Sequence, residues 1–191
     1  MTQTAKKTRS KKSKSVYAPG PKEQKIERHT LAVLVRNEPG ILAKVVGLIS
    51  GRGYNIESLT VAETDHFGHL SRITIVVAGT PAVIEQIKAQ LERLVPVQGV
   101  RDMTTFGPFV ERELALVKME VNDKNREEIL GIVDEFRART LDSTAEFFIF
   151  EITGTARRID NFIEAMLPLG LLNVTRTGVT AISKGIDTIE E

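Results

Sequence analysis

The residues best suited to bind a ligand form a short turn, Asn37-Glu38-Pro39-Gly40-Ile41-Leu42, between a strand-like and a helix-like segment. Pro39 favours a helix start there, because its φ is already helical and its missing N–H would have no helical partner. Gly40 allows another backbone or a ligand to approach closely. The N–H groups of Gly40, Ile41 and Leu42 would then suit an anion such as a carboxylate. The alternative interpretation is an ordinary capped turn.

A second polar residue, Asn55, stands at the beginning of the next strand-like segment. Asparagine is depleted in strands, so its position there calls for a reason. Its amide has donor and acceptor atoms, and it could therefore hold the carboxylate and the ammonium group of a free amino acid together. Such an amide is useful in a pocket, where an unpaired charge is costly. A turn residue that bonds its own backbone is the simpler alternative.

Catalytic and metal-binding patterns are weak in the rest of the sequence. The chain has 0 cysteines, which excludes disulfides, thiolate catalysis and cysteine-ligated zinc. Gly51-Arg52-Gly53 follows a helix-like segment and indicates a helix end, not a phosphate loop. His66 and His69 have the spacing of a metal clip, but we interpret them as part of a solvated turn. The neighbouring carboxylates Glu127-Glu128 and Asp134-Glu135 point in different directions on a helix, so we assign them to its solvated face.

The net charge of +1 is the sum of two different segments. Residues 1–25 contain eight basic residues and one acidic residue, whereas the rest of the chain contains 18 basic and 24 acidic residues. The first segment has almost no apolar residues, so we predict a disordered basic tail. It could contact nucleic acid through phosphate groups, but we favour a solubilising role.

Length and hydropathy limit the class of protein. The 191 residues are enough for one ordinary domain or two small ones. No apolar run reaches the roughly 18 residues of a membrane span, and the first residues lack the apolar core of a secretory signal. We therefore expect no membrane contact and a cytoplasmic location.

After the tail, the order strand, helix, strand, strand, helix, strand occurs twice. In the first repeat we predict strands at 29–37, 54–63, around 73–77 and at 95–103, with helices after Pro39 and Pro81. In the second we predict strands at 114–121, 140–143, around 148–152 and a single strand at 171–182, with helices around 129–136 and 159–166. This order predicts an α+β fold of two tandem ferredoxin-like domains, 26–106 and 107–185, after the tail 1–25.

At this point the sequence resembles a known family. The turn at 37–42 and the segment Gly53-Tyr54-Asn55-Ile56-Glu57-Ser58-Leu59-Thr60-Val61 are similar to the regulatory small subunit of acetolactate synthase, also called acetohydroxyacid synthase. The segment 110–118, with the sequence VERELALVK, resembles the strand that opens the C-terminal domain of that family. The resemblance covers about residues 26–185.

The resemblance implies that the first domain is an ACT domain, a ligand-binding ferredoxin-like module. It also implies a partner, the large catalytic subunit, which binds thiamine diphosphate, Mg²⁺ and FAD, whereas this chain binds no cofactor and is not catalytic alone. The holoenzyme condenses pyruvate with pyruvate or 2-oxobutyrate in the synthesis of valine, leucine and isoleucine. The small subunit raises its activity and makes it sensitive to feedback inhibition, usually by valine.

The resemblance also implies a homodimer in which ACT domains pair edge to edge and valine binds between the chains. Arg36 stands where many relatives have an acid, and Pro39 replaces a serine found in some, so affinity could differ. The turn at 122–125 of the second domain lacks the Pro-Gly pair, and we expect no amino-acid site there. The expected valine-binding residues are Asn37, Gly40, Ile41 and Leu42 of one chain with Asn55, Ile56 and Val61 of the other.

Two alternatives remain at this stage. An ACT-type amino-acid-responsive regulator that acts on DNA or on another enzyme is compatible with the basic tail. Each predicted helix lies between strands, which leaves no helix-turn-helix, and the folded part is acidic, so we do not expect nucleic-acid binding. Tight, sequence-dependent DNA binding at near-physiological salt would favour that regulator. Acetolactate production from pyruvate without a partner would instead establish a stand-alone enzyme.

Overall fold

Two antiparallel sheets, each covered by helices on one face, make up the folded part of the chain. The computed structural model describes residues 25–65, 68–186 and 189. The predicted disordered tail therefore lies outside the described residues except for Lys25, whose Nζ is 3.2 Å from a carboxylate oxygen of Glu27.

The first sheet has four strands in the order β2-β3-β1-β4, which is ferredoxin-like. Alternate apolar residues of β1, such as Leu31 and Val33, point to one face and pack there against helical residues such as Val45 and Ile84. We call the opposite face of this sheet its outer face. The elements are β1 (Glu27–Arg36), α1 (Ile41–Ser50), β2 (Ile56–Asp65), β3 (Leu70–Gly79), α2 (Pro81–Leu91) and β4 (Val97–Asp102).

The second sheet repeats this order as β6-β7-β5-β8, so the prediction of two ferredoxin-like units is confirmed. Its core is aromatic: the rings of Phe148 and Phe150 pack edge to face at 5.7 Å, and those of Phe136 and Phe162 at 5.4 Å. The elements are β5 (Phe109–Glu120), α4 (Arg126–Glu135), β6 (Arg139–Ser143), β7 (Phe147–Gly154), α5 (Ala156–Met166), β8 (Leu171–Arg176) and β9 (Thr180–Ser183), with a 3-10 turn at Leu167–Leu169.

The link between the two sheets differs from the prediction. A one-turn helix, α3 (Met103–Phe106), follows β4 directly, and the Asp102 side chain caps it by accepting a hydrogen bond from the Thr104 N–H at 3.0 Å. Strand β5 begins at Phe109, five residues before the predicted start. The sequence signal for this helix is only the Asp-x-Thr capping pattern, which is too short to be specific.

The single strand predicted at 171–182 is wrong, because two strands occupy that segment. Strand β8 pairs with the second half of β5, and β9 pairs with the first half. Between them Gly178 has φ +83°, a left-handed conformation that an extended strand cannot contain.

The segment 177–179 breaks the strand because it rests on β2 of the first sheet. The Val179 N–H donates a hydrogen bond to Ser58 Oγ at 2.8 Å. A Cβ added to Gly178 would lie 2.8 Å from Ser58 Oγ and 2.9 Å from Thr60 Oγ1. A glycine in this conformation is therefore what allows the two sheets to approach each other here.

Two acidic side chains hold Arg176, the residue before the turn at 177–179. Arg176 donates to both carboxylate oxygens of buried Glu113 at 2.8 and 2.7 Å and to Asp160 at 2.6 Å. The hydrogen bond to Glu113 is the main cause that raises the pKa of Arg176, while partial burial opposes it. The bidentate geometry fixes the end of β8 and thus the start of the turn.

We predict that Gly178→Ala lowers the free energy of unfolding by about 2–4 kcal/mol, because left-handed strain and the collision with Ser58 and Thr60 add together. Gly53→Ala is the matched control: Gly53 has φ +78° but no atom within 4 Å of the added Cβ. This control should lose only about 1–2 kcal/mol. Urea unfolding of both variants measures the difference, and equal losses would contradict the contact between the sheets.

Candidate functional site

Backbone hydrogen bonds hold the turn after β1 in place. The Asn37 N–H donates to the His69 carbonyl at 2.6 Å, and the Ile41 N–H donates to the Glu38 carbonyl at 3.2 Å. Gly40 has φ +81° at the N-cap of α1, and no side chain caps this helix. A Cβ at Gly40 would meet no atom within 4 Å, so the space above the helix start is open.

Two backbone donors of this turn are available to a ligand. Within the described residues, the N–H groups of Gly40 and Leu42 have no hydrogen-bond partner, whereas that of Ile41 is used in the turn. The expectation that all three N–H groups are open is therefore wrong for Ile41. Because α1 carries no acidic residue in its first turn, its positive end is not neutralised by the helix itself.

The two apolar residues of the turn have different environments. Ile41 is 6% exposed and belongs to the core of the first sheet, while Leu42 is 38% exposed. Of these two residues, only Leu42 thus presents its side chain to a ligand above the turn. Asn37 is exposed beside it.

The other expected site residues lie elsewhere in the same chain. Asn55 is exposed and directly precedes β2. Ile56 is paired with Val77 of β3, and Val77 is paired with His29 at the beginning of β1. The turn at 37–42 follows the end of β1, seven residues further along. At about 3.4 Å per residue, Asn55 and Ile56 are about 24 Å from the turn. A single chain therefore does not bring them together.

Strand β2 lies at an edge of the described sheet, with β3 as its hydrogen-bonded neighbour. Its residue Val61 is paired with Ile73, so its side chain is on the helix-covered face, where it is 42% exposed. An edge strand with an exposed valine beside helices offers unpaired backbone groups and apolar surface to another chain.

The corresponding turn of the second sheet is held by side-chain hydrogen bonds to its backbone. Asn122 Oδ1 accepts hydrogen bonds from the N–H groups of Lys124 and Asn125 at 2.9 and 3.2 Å. Asn125 in turn accepts from the Asn122 N–H at 2.7 Å. The Asn125 N–H, which corresponds to the open Gly40 N–H, is therefore occupied by a side chain. Helix α4 has no side-chain cap, but its first turn carries Glu127 and Glu128, whose charges disfavour an anion there.

The remaining sequence candidates form no further site. His69 is largely exposed, with Nδ1 3.9 Å from Glu63 Oε1, and His66 lies outside the described residues. The paired carboxylates at 127–128 and 134–135 are exposed on α4. In the part of the chain that is described, no group of three or more His, Cys, Asp or Glu side chains could hold a metal ion, and no helix is long and apolar enough to cross a membrane.

Comparison with known proteins identifies the family models and relatives that this chain matches. Residues 31–98 match the model of the ACT domain of acetohydroxyacid synthase small subunits, and residues 112–185 match the model named small subunit of acetolactate synthase. A probable acetolactate synthase small subunit of Archaeoglobus fulgidus is 43% identical over 83% of this chain and 98% of its own length. The isozyme 3 small subunit of Escherichia coli is 41% identical over 83% of this chain and 96% of its own length.

A solved structure agrees with the sequence relatives. The crystal structure of an acetolactate synthase small subunit from Thermotoga maritima superposes with a TM-score of 0.77 at 37% identity, covering 85% of this chain and 100% of that one. The two family models together match residues of both sheets, and the first, that of the ACT domain, includes the turn at 37–42 and β2. The chain therefore belongs to the family of acetolactate synthase small subunits, and its first sheet lies in the ACT domain of that family.

Proposed function

We propose that this protein activates the catalytic large subunit of acetolactate synthase and makes it sensitive to feedback inhibition by valine. The observation that carries the proposal is the open start of α1, where the N–H groups of Gly40 and Leu42 have no hydrogen-bond partner among the described residues and no side chain caps the helix. A helix N-terminus with free donors suits a carboxylate. The exposed side chain of Leu42 adds an apolar contact for the ligand's side chain.

The proposal includes a homodimer in which two β2 strands pair antiparallel. In such a pair the beginning of one strand lies beside the end of the other. The end of β2 is at the same end of the sheet as the turn at 37–42, because Asp65 pairs with Leu70 and Leu70 pairs with Arg36. Asn55 and Ile56 of the second chain would therefore lie beside the turn of the first.

The complete site would hold valine by two kinds of contact. Backbone N–H groups and the Asn55 amide would bind the carboxylate, and the same amide with Asn37 would bind the ammonium group. Leu42 and Ile56 would contact the isopropyl group, with Ile41 supporting them from the core. Val61 lies five residues from Ile56, about 17 Å along β2, and would complete the site by packing in the apolar contact between the two chains. One methylene changes affinity by only about 1–3 kcal/mol, so leucine and isoleucine should act as weaker effectors.

Inhibition would follow from thermodynamic linkage. Valine bound between two chains has different affinities for two arrangements of the dimer, and the large subunit prefers one of them. Couplings of this kind are about 1–3 kcal/mol. In this proposal thiamine diphosphate, Mg²⁺ and FAD are bound by the large subunit. The proposed domains of this chain are residues 26–106 and 107–185, the ranges predicted from the sequence.

Reconstitution with the large subunit of the same organism tests the function. We expect acetolactate formation from pyruvate to rise when the small subunit is added and to fall again with valine, while the small subunit alone forms none. A large subunit whose rate is unaffected by this chain, with or without valine, would contradict the proposal.

Variants of the turn and of Asn55 test the site. Gly40→Asp places a negative charge beside the carboxylate, and Asn55→Ala removes the amide, so both should abolish valine inhibition while activation persists. Gly40→Ala is the control for backbone strain and Asn173→Ala, in the second sheet, for the loss of an exposed amide. If both site variants respond to valine as the wild type does, the site assignment is wrong.

The two apolar residues of the turn separate packing from binding. Ile41→Ala should lower the free energy of unfolding by about 2–5 kcal/mol because it removes core contacts. Leu42→Ala should change it by less than about 1 kcal/mol and weaken the response to valine. Urea unfolding and valine titration of both variants measure these effects; a Leu42 variant with unchanged valine affinity would remove this residue from the site.

A further inference from the structure

A cavity of about 310 Å³ lies between the outer face of the first sheet and the end of the chain. On this face Ala32, Met103 and Ala181 form a small apolar cluster against which Phe109 and Ile189 pack. The cavity opens beside the cluster and has a mostly apolar wall with two arginines; its lining includes Leu34, Arg72, Arg101, Met103, Ile182 and Ile186.

Arg72 is half-buried in this wall without a counterion. Its Nη2 donates to the Ala181 carbonyl of β9 at 2.9 Å, but its Nε is buried and has no acceptor. No ion pair joins Arg72 to a carboxylate in the described part of the chain. Burial lowers the pKa of Arg72, and the nearby charge of Arg101 lowers it further. A charge in this environment is stabilised by an anion.

Arg101 adds a second positive charge to the same face. Arg72 pairs with Leu34 and Arg101 pairs with Ala32, so the two arginines flank β1 diagonally. The Arg101 guanidinium lies 4.0 Å from the centre of the Phe106 ring. The neighbouring acid, Asp102, points to the other face, where it bonds His29 at 2.8 Å.

We propose that this cavity binds a small monocarboxylate with a short apolar chain and no ammonium group, such as a branched 2-oxo acid. Guanidinium groups match a carboxylate in bidentate geometry, and the aliphatic side chains of the wall suit a branched alkyl group. The charge of Arg101 already acts on Arg72, and the two guanidinium groups would also repel an ammonium group. The cavity therefore favours an oxo acid over the amino acid with the same carbon skeleton.

Because the cavity lies beside β9, a bound ligand would affect how β9 packs on the first sheet. Arg72 already bonds the backbone of β9, which belongs to the second sheet. A bound carboxylate would neutralise Arg72 and fix this contact, so it would strengthen the docking of β9 on the first sheet. This site is on the outer face, whereas the open turn follows β1 and Val61 faces the helices, so the inference does not depend on the proposed function.

Calorimetric titration of the full-length chain with 3-methyl-2-oxobutanoate tests the site. Arg72→Met should weaken binding by at least about tenfold and Arg72→Lys by less, because lysine keeps the charge but not the fork. Arg93→Met, which removes an exposed arginine outside the lining, should bind as the wild type does. Unchanged binding by Arg72→Met, or no binding by the wild type, overturns the proposal. If Arg72→Met does not fold, Arg72→Lys with Arg101→Met decides the question by the same criterion.

Two competing ligands and one further variant distinguish this cavity from a general anion site and from the amino-acid site. Valine and inorganic phosphate should not displace the oxo acid; displacement by phosphate would indicate a general anion site and contradict the proposed ligand class. Asn55→Ala should bind the oxo acid normally. Loss of binding in Asn55→Ala would assign the oxo acid to the amino-acid site, which would end this inference and leave the proposed function intact.

Discussion

The crossover from β1 through α1 to β2 is the constraint on which the proposed site depends. Parallel strands need such a crossover, and it returns the chain to the end of the sheet where β1 began. The turn at 37–42 and Asn55 therefore lie at opposite ends of the sheet in one chain, although Asn55 is only 13 positions after Leu42 in the sequence. In the proposed dimer, antiparallel pairing of two β2 edges would reunite them, so the proposed site would be a property of the dimer.

The two ferredoxin-like units show how one topology serves different roles. In the second unit Asn122 and Asn125 bond the backbone of the turn before α4, and two acidic residues, Glu127 and Glu128, lie in the first turn of that helix. In the first unit Gly40 provides no side chain and the first turn of α1 has no acidic residue, so of these two helix starts only that of α1 favours an anion. The contact of the Gly178 turn with Ser58 joins the second unit to the outer face of β2, the same strand whose other face carries Val61.

Hydropathy periods were enough to predict the repeated strand and helix order, apart from α3 and the division of the last strand, because helices such as α2 and α5 bury one regular face. They could not predict the break at Gly178, since its cause is a contact with Ser58, 120 residues away in the sequence. Nor could they separate Ile41 from Leu42, because the direction of the first helical turn decides which of these adjacent side chains enters the core. The cavity beside Arg72 depends on how the end of the chain covers the sheet, and no local pattern encodes that.

Some properties of the site residues could likewise be predicted from the sequence, and others could not. The open turn and Asn55 could be selected from residue types alone, because proline, glycine and asparagine have restricted roles at such positions. Their separation by the length of the sheet became visible only from strand register. The use of the Ile41 N–H within the turn also required coordinates, since sequence does not show which backbone donors a turn consumes.

A mixed dimer tests most directly whether two chains share one valine site. Chains with Gly40→Asp and chains with Asn55→Ala, carrying different affinity tags, can be coexpressed and the mixed dimer isolated. Its two sites then differ: one combines both changes, and the other combines the unchanged turn with the unchanged Asn55. Valine titration should show no binding by either homodimer and one valine per mixed dimer with nearly wild-type affinity. A mixed dimer that binds no valine, while the wild type binds it, would contradict the shared site.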